Sequence, residues 1–120
     1  RQSTSTPLQA LALLNDVQLV EAARKIGERM LKEGGATLEQ QIGWAFTLVT
    51  GRAVQPAQVA ILKQLYNEQK AEFAGDPAAA ESLMKMGEAR SDDRLPLVDR
   101  AAGTILAQTL LNFDETLMRR

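Results

Sequence analysis

The chain has 120 residues, of which 45% are hydrophobic and 24% are charged, and its formal net charge is −1. It contains no cysteine and no histidine, which excludes disulfides, thiolate chemistry, haem attachment and the usual zinc sites. A Ser-His or Cys-His nucleophile pair is excluded for the same reason. The charge gives no reason to expect a nucleic acid or an anionic membrane as partner, and no apolar run approaches a membrane-spanning length.

Length and composition predict a single all-α domain. A chain of this size forms one domain, and aromatic residues make up only 4% of it. A core of Leu, Ala, Val, Ile and Met suits helix-on-helix packing better than a sandwich. We therefore expect residues 1–120 to form one compact bundle of five to six helices with orthogonal or irregular packing. Because position 1 is Arg and no signal-peptide pattern follows, we expect the chain to be an excised piece of a longer protein.

The first two predicted helices lie on either side of an Asn-Asp break. Thr6 caps a short helix over residues 7–14 that Pro7 opens. A second helix runs from Val17 to about Glu33, and Gly34 and Gly35 end it. Its apolar positions are Leu19, Ala23, Ile26 and Met30. The other side carries Glu21, Arg24, Lys25, Glu28 and Lys32, so we expect one buried face and one charged face.

The third predicted helix has clear signals at both ends. Thr37 and Gln40 have the spacing of a capping box, and Gly51 closes the helix. Its apolar stripe is Leu38, Ile42, Ala45 and Val49, widened by Trp44, Phe46 and Leu48. Because most of its surface is apolar, this helix is predicted to be the central one.

Two more helices follow, separated by a stop and restart. The first runs from Pro56 to about Ala74, with apolar positions at Val59, Leu62, Leu65, Tyr66 and Phe73. Asp76 then caps a helix that Pro77 opens and that ends near Met86. Residues 88–95 are the most polar segment of the chain and are predicted to form a loop.

The last long helix is predicted to start at Pro96. Its stripe is Val98, Ala101 or Ala102, Ile105, Thr109 and Leu110. The segment Leu110–Glu115 repeats the pattern of Leu13–Asp16, in which an apolar helix ends with Asn and then presents an Asp. Both segments are interpreted as corners where one helix stops and another restarts, rather than as a duplicated ligand site. A final turn follows through Leu117 and Met118.

One acidic cluster lies in a predicted loop. Asp92 and Asp93 precede Asp99, and a hard cation would need six to eight oxygen ligands. The spacing of an EF-hand is absent, and Arg90 and Arg94 lie close enough to neutralise the pair. A solvated loop explains the cluster better than a metal site.

The other candidate residues also have structural explanations. Asp114 and Glu115 suit the positive end of a helix dipole, and no pair of carboxylates is singled out for glycoside hydrolysis. The hydroxyls of residues 3–6 satisfy helix-start amides, since only Lys25 or Lys32 lies nearby as a base. Trp44 is expected in the core rather than as a ligand platform. We therefore predict no catalytic, cofactor-binding or metal-binding residue.

The N-terminal segment carries a family resemblance. Residues 1–16 resemble the opening motif of a C-terminal domain of unknown function in large planctomycete proteins. Three later signatures agree in order, namely Thr50–Arg52 with Pro56, the helix with Ala101 and Ala102, and the ending Leu110–Glu115. The resemblance spans nearly the whole chain.

The resemblance implies a context rather than an activity. Proteins of this family often carry a cytochrome-c-like domain nearer the N-terminus, so a haem would belong to that other domain and not to this chain. They resemble exported, periplasmic or envelope-associated proteins linked by context to the breakdown of complex polysaccharides. No catalytic or binding residue of the domain carries over to this sequence.

Two hypotheses about function follow. The first is a non-catalytic helical module that docks against other domains of its parent protein or a partner, through an apolar patch that includes Leu8, Leu11 or Trp44. The second is a part of a carbohydrate-processing or carbohydrate-binding site, which for hydrolysis would need two facing carboxylates about 5–10 Å apart. Oligomeric state is left open.

Overall fold

The computed structural model describes residues 17–86 and 94–118. Most of these residues lie in helices joined by short turns, and no strand lies among them, which confirms the all-α prediction. The described residues form five helices: α1 (Val17–Glu33), α2 (Leu38–Thr50), α3 (Pro56–Gly75), α4 (Pro77–Met84) and α5 (Leu97–Met118). The predicted helix over residues 7–14 and the loop at residues 87–93 lie outside the described part of the chain.

The predicted start of α2 is confirmed in atomic detail. The Thr37 hydroxyl accepts a hydrogen bond from the Gln40 backbone N–H at 3.1 Å, and the Gln40 side chain accepts one from the Thr37 N–H at 3.3 Å. Gly51 ends the helix with a positive φ of 74° and donates its N–H to the Thr47 carbonyl. These bonds satisfy backbone groups that a helix end leaves unpaired.

The predicted ends of α4 and the predicted end of α1 are also confirmed, with small shifts. The Asp76 carboxylate accepts a hydrogen bond from the Ala79 N–H at 3.2 Å and so caps α4. That helix ends at Met84, two residues before the predicted position. At the end of α1, the Gly34 N–H donates to the Met30 carbonyl at 2.9 Å.

The third predicted helix, which is α2 in the structure, was expected to be the central one. This prediction was wrong, because α5 lies at the centre of the bundle. Nine consecutive residues of α5, Arg100–Gln108, are buried, and α5 packs against the four other described helices. In α2 only Ile42, Ala45 and Phe46 are buried. An apolar composition therefore identified a core helix but not the axis of the bundle.

Among the residues that the structure describes, the core consists of two clusters that share α5. One cluster joins α1, α2, α3 and α5 through Met30, Ile42, Ala45, Phe46, Leu62, Tyr66, Ala102, Leu106 and Leu110. The other joins α1, α4 and α5 through Val20, Ala80, Leu83, Met84, Ala101 and Ile105. The predicted apolar stripes of α2, α3 and α5 all contribute to these clusters.

The predicted corner at Asn112 was also wrong. Helix α5 continues without a break from Leu97 to Met118, so Asp114 and Glu115 lie inside a helix and not at a helix start. Asn favours helix ends through its side-chain hydrogen bonds, but this preference is weak and the surrounding structure overrides it.

Helices α1 and α5 cross at two glycines. A Cβ atom added to Gly27 would lie only 2.7–2.9 Å from backbone atoms of Gly103 and Thr104. Real Cβ atoms do not approach a backbone so closely, so the absence of a side chain at Gly27 is what allows the helices to meet at this distance.

Candidate functional site

The expected charged face of α1 is a solvent face only in part, because Lys25 and Lys32 are exposed but Arg24 and Glu28 are buried. Arg24 is 0% exposed and Glu28 is 7% exposed. The Arg24 guanidinium donates from Nη1 to the carbonyls of Met84 and Met86, at 2.8 and 2.7 Å. It thus ties α1 to the end of α4, where a positive charge is favoured by the helix dipole.

Helix α5 buries a polar stripe of its own. Arg100, Thr104 and Gln108 recur every fourth residue and are all buried. The Arg100 Nε donates to the Leu95 carbonyl at 2.9 Å, and the Thr104 hydroxyl donates to the Arg100 carbonyl at 2.8 Å. Each of these two bonds joins a side chain to a nearby backbone carbonyl, so both serve the fold rather than a ligand. The four-residue spacing of these polar side chains is visible in the sequence and could have revealed the stripe.

A second polar cluster links α3 to the first turn of α5. The Tyr66 hydroxyl donates to Asp99 Oδ1 at 3.0 Å, and Lys70 Nζ lies 3.0 Å from the same oxygen. Burial, followed by the charge and hydrogen bond of Asp99, raises the pKa of the Tyr66 phenol well above its usual value. The phenol therefore stays protonated and acts as a hydrogen-bond donor.

The polar cluster of Tyr66, Lys70 and Asp99 contains one aspartate of the predicted acidic cluster. Asp99 is engaged by Tyr66 and Lys70, while Asp92 and Asp93 lie outside the described residues. Among residues 17–86 and 94–118, no three acidic side chains converge in a way that could hold a metal ion. The prediction that the chain has no catalytic, cofactor or metal site stays a prediction.

Trp44 lies on the surface of the core, half-buried. Its ring packs against the core cluster that joins α1, α2, α3 and α5, and the Arg29 guanidinium lies 5.2 Å from the ring centroid. That distance allows a cation–π interaction, and Arg29 is also held by Glu33 one turn later. One face of the ring is thus covered by Arg29. Leu8 and Leu11, the other members of the expected patch, lie outside the described part.

An apolar groove lies where α2, α3 and α5 meet. It encloses about 210 Å³. Its lining residues are Phe46 from α2, Gln58, Ile61 and Leu62 from α3, and Thr109 and Leu110 from α5. Ile61 is 67% exposed, and Ile61 and Leu48 are the large hydrophobic residues that stand out as exposed in the described structure.

The groove offers little beyond apolar contact. The Gln58 side-chain oxygen accepts from the Gln55 N–H at 2.8 Å, and the Thr109 hydroxyl donates to the Ile105 carbonyl at 2.9 Å. The two polar lining residues thus already bond to the backbone of their own helix or its cap. None of the described lining residues carries a charge. Ligand sites for chemistry normally add several convergent polar groups to an apolar pocket, so this geometry favours binding of an apolar surface.

Sequence reasoning did not find this groove. Its one local signal is Ile61, which falls outside the stripe formed by Val59, Leu62, Leu65 and Tyr66. A single apolar residue on a polar helix face is common on protein surfaces. What makes Ile61 informative is its place beside Phe46 and Leu110, and that depends on how three helices pack.

None of the helices within the described residues is long and apolar enough to cross a lipid bilayer. The fold and the groove define a small all-α domain with an apolar surface cleft.

The chain belongs to the family described as "Protein of unknown function (DUF1553)", whose model matches residues 1–66, more than half of the chain. This confirms that it contains a domain of unknown function. Searches of curated proteins and of solved structures found no match.

Proposed function

We propose that this chain is a non-catalytic helical module that docks against another domain of its parent protein through the groove between α2, α3 and α5. The observation that carries the proposal is the combination of an apolar cleft with Ile61 left 67% exposed beside it. Contiguous exposed apolar surface is characteristic of a protein–protein contact.

The size and chemistry of the groove support a protein segment as its occupant. About 210 Å³ is room for one or two large apolar side chains, since an engineered cavity of about 150 Å³ accommodates benzene. An amphipathic helix that binds in a groove presents such side chains at positions i, i+3, i+4 and i+7. The apolar side chains of such a helix would pack against Phe46, Leu62 and Leu110 inside the groove and against Ile61 at its rim.

The wider setting of the module is proposed from its resemblance. We place residues 1–120 as a single domain at the C-terminal end of a large exported planctomycete protein. In that protein a cytochrome-c-like domain nearer the N-terminus would carry any haem. The docking partner would be one of the other domains of the same protein, with no nucleic acid involved.

The alternative role is in carbohydrate processing or binding in polysaccharide breakdown. Hydrolysis would need two facing carboxylates, and none of the described residues that line the groove supplies one. Asp99, the described member of the predicted acidic cluster, is held by Tyr66 and Lys70. The described geometry therefore supports docking better than carbohydrate chemistry.

The test uses two exposed apolar residues as a matched pair. Ile61 lies in the groove, whereas Leu48, 46% exposed, is not among its lining residues. We expect Ile61→Lys to weaken binding of the chain to the separately produced remainder of its parent protein by about 10- to 100-fold, because burial of an Ile contributes about 1.5–3 kcal/mol. Leu48→Lys is expected to bind as the unmodified chain does, with both measured by isothermal titration calorimetry.

Two results would contradict the proposal. One is an unmodified chain that does not bind the remainder of its parent protein, and the other is equal loss of binding in both variants. Binding or turnover of plant or algal polysaccharides by the isolated chain, unchanged by Ile61→Lys, would favour the carbohydrate role instead.

A further inference from the structure

We draw no further inference here: the strongest candidate, the apolar groove between α2, α3 and α5 with its exposed rim at Ile61, belongs to the site already described, and nothing in the structure shows which particular segment covers it.

Discussion

Helix α5 meets its neighbours in two contrasting ways. Where it crosses α1, Gly27 lets the two backbones approach so closely that a Cβ atom would overlap Gly103. Where it lies beside α2 and α3, a groove of about 210 Å³ stays open next to Leu110. The first contact is complete within the chain, whereas the second leaves Ile61 exposed.

The contrast separates residues that hold the bundle together from residues available to a partner. Close packing transmits even small changes in volume, because the interior has few voids to absorb them. An open groove, by contrast, accommodates small changes in side-chain volume. Substitution of the buried α1 residues Arg24 and Gly27 should therefore lower the free energy of unfolding, whereas substitution of the exposed groove residue Ile61 should leave it nearly unchanged.

A large effect on stability is expected at Arg24. Arg24→Ala removes the donor to the Met84 and Met86 carbonyls and the packing of a fully buried side chain. We expect the free energy of unfolding to fall by about 3 kcal/mol, since hydrogen bonds from charged groups contribute about 1.5–3 kcal/mol each. Urea denaturation followed by circular dichroism measures this change.

The neighbouring residue Lys25 provides the control. It is exposed, so Lys25→Ala should change the free energy of unfolding by less than about 0.5 kcal/mol. If Arg24→Ala and Lys25→Ala proved equally mild, the buried contact between α1 and the end of α4 would not stabilise the fold as the structure indicates.

The next expected effect is a difference in stability between Gly27→Ala and Gly103→Ala, the two substitutions at the crossing of α1 and α5. Gly27→Ala should lower the free energy of unfolding by about 1–3 kcal/mol, because its Cβ would press on backbone atoms that cannot rotate away. A Cβ at Gly103 would lie 3.5–3.6 Å from Gly27, an ordinary contact. Gly103→Ala should therefore be neutral or stabilising by up to about 1 kcal/mol, because Ala favours the helix over Gly.

Thermal and urea denaturation of the two variants, side by side, measure this asymmetry. Both substitutions add the same methyl group at the same crossing, so helix propensity cancels in the comparison. Equal destabilisation of both variants would mean that the helices do not meet in the observed register.

A smaller effect should appear in the dependence of stability on pH. The folded state raises the pKa of Tyr66, chiefly through burial and then through Asp99. The folded protein thus holds the phenol proton more tightly than the unfolded chain does. This contribution to stability is fully present below the unfolded pKa of about 10 and is lost as the pH rises above it.

Tyr66→Phe isolates this contribution. The chain contains a single tyrosine, so phenolate absorbance reports Tyr66 alone, and the variant removes it without removing the ring. Above about pH 10, the stability of the unmodified chain should fall more steeply than that of Tyr66→Phe. Identical slopes would show that the folded state does not raise the pKa of the Tyr66 phenol through burial and Asp99.

The sequence was sufficient for features that depend on neighbouring residues. The Thr37–Gln40 capping box and the Asp76 cap involve atoms three residues apart, and both are present as predicted. Each of these signals acts within one helical turn, where amino-acid type and spacing determine the available hydrogen bonds.

The features that were missed depend on distant parts of the chain. The sequence predicts Arg24 on a charged face of α1. Its burial instead depends on the backbone carbonyls of Met84 and Met86, which lie about 60 residues later in the chain. The groove likewise needs α2, α3 and α5 to be placed relative to one another. Neither arrangement leaves a periodic pattern in the sequence around the residues concerned.

The smallest expected effect on folding is at Ile61, and it completes the comparison. Because Ile61 is 67% exposed, Ile61→Lys should change the free energy of unfolding by less than about 0.5 kcal/mol. Leu62, the next residue, is only 8% exposed, and Leu62→Ala should cost about 2–5 kcal/mol in the same urea denaturation. A loss at Ile61 comparable to that at Leu62 would mean that the groove is closed by the chain itself. Ile61 would then be a core residue, and the binding defect expected of Ile61→Lys could not be separated from unfolding.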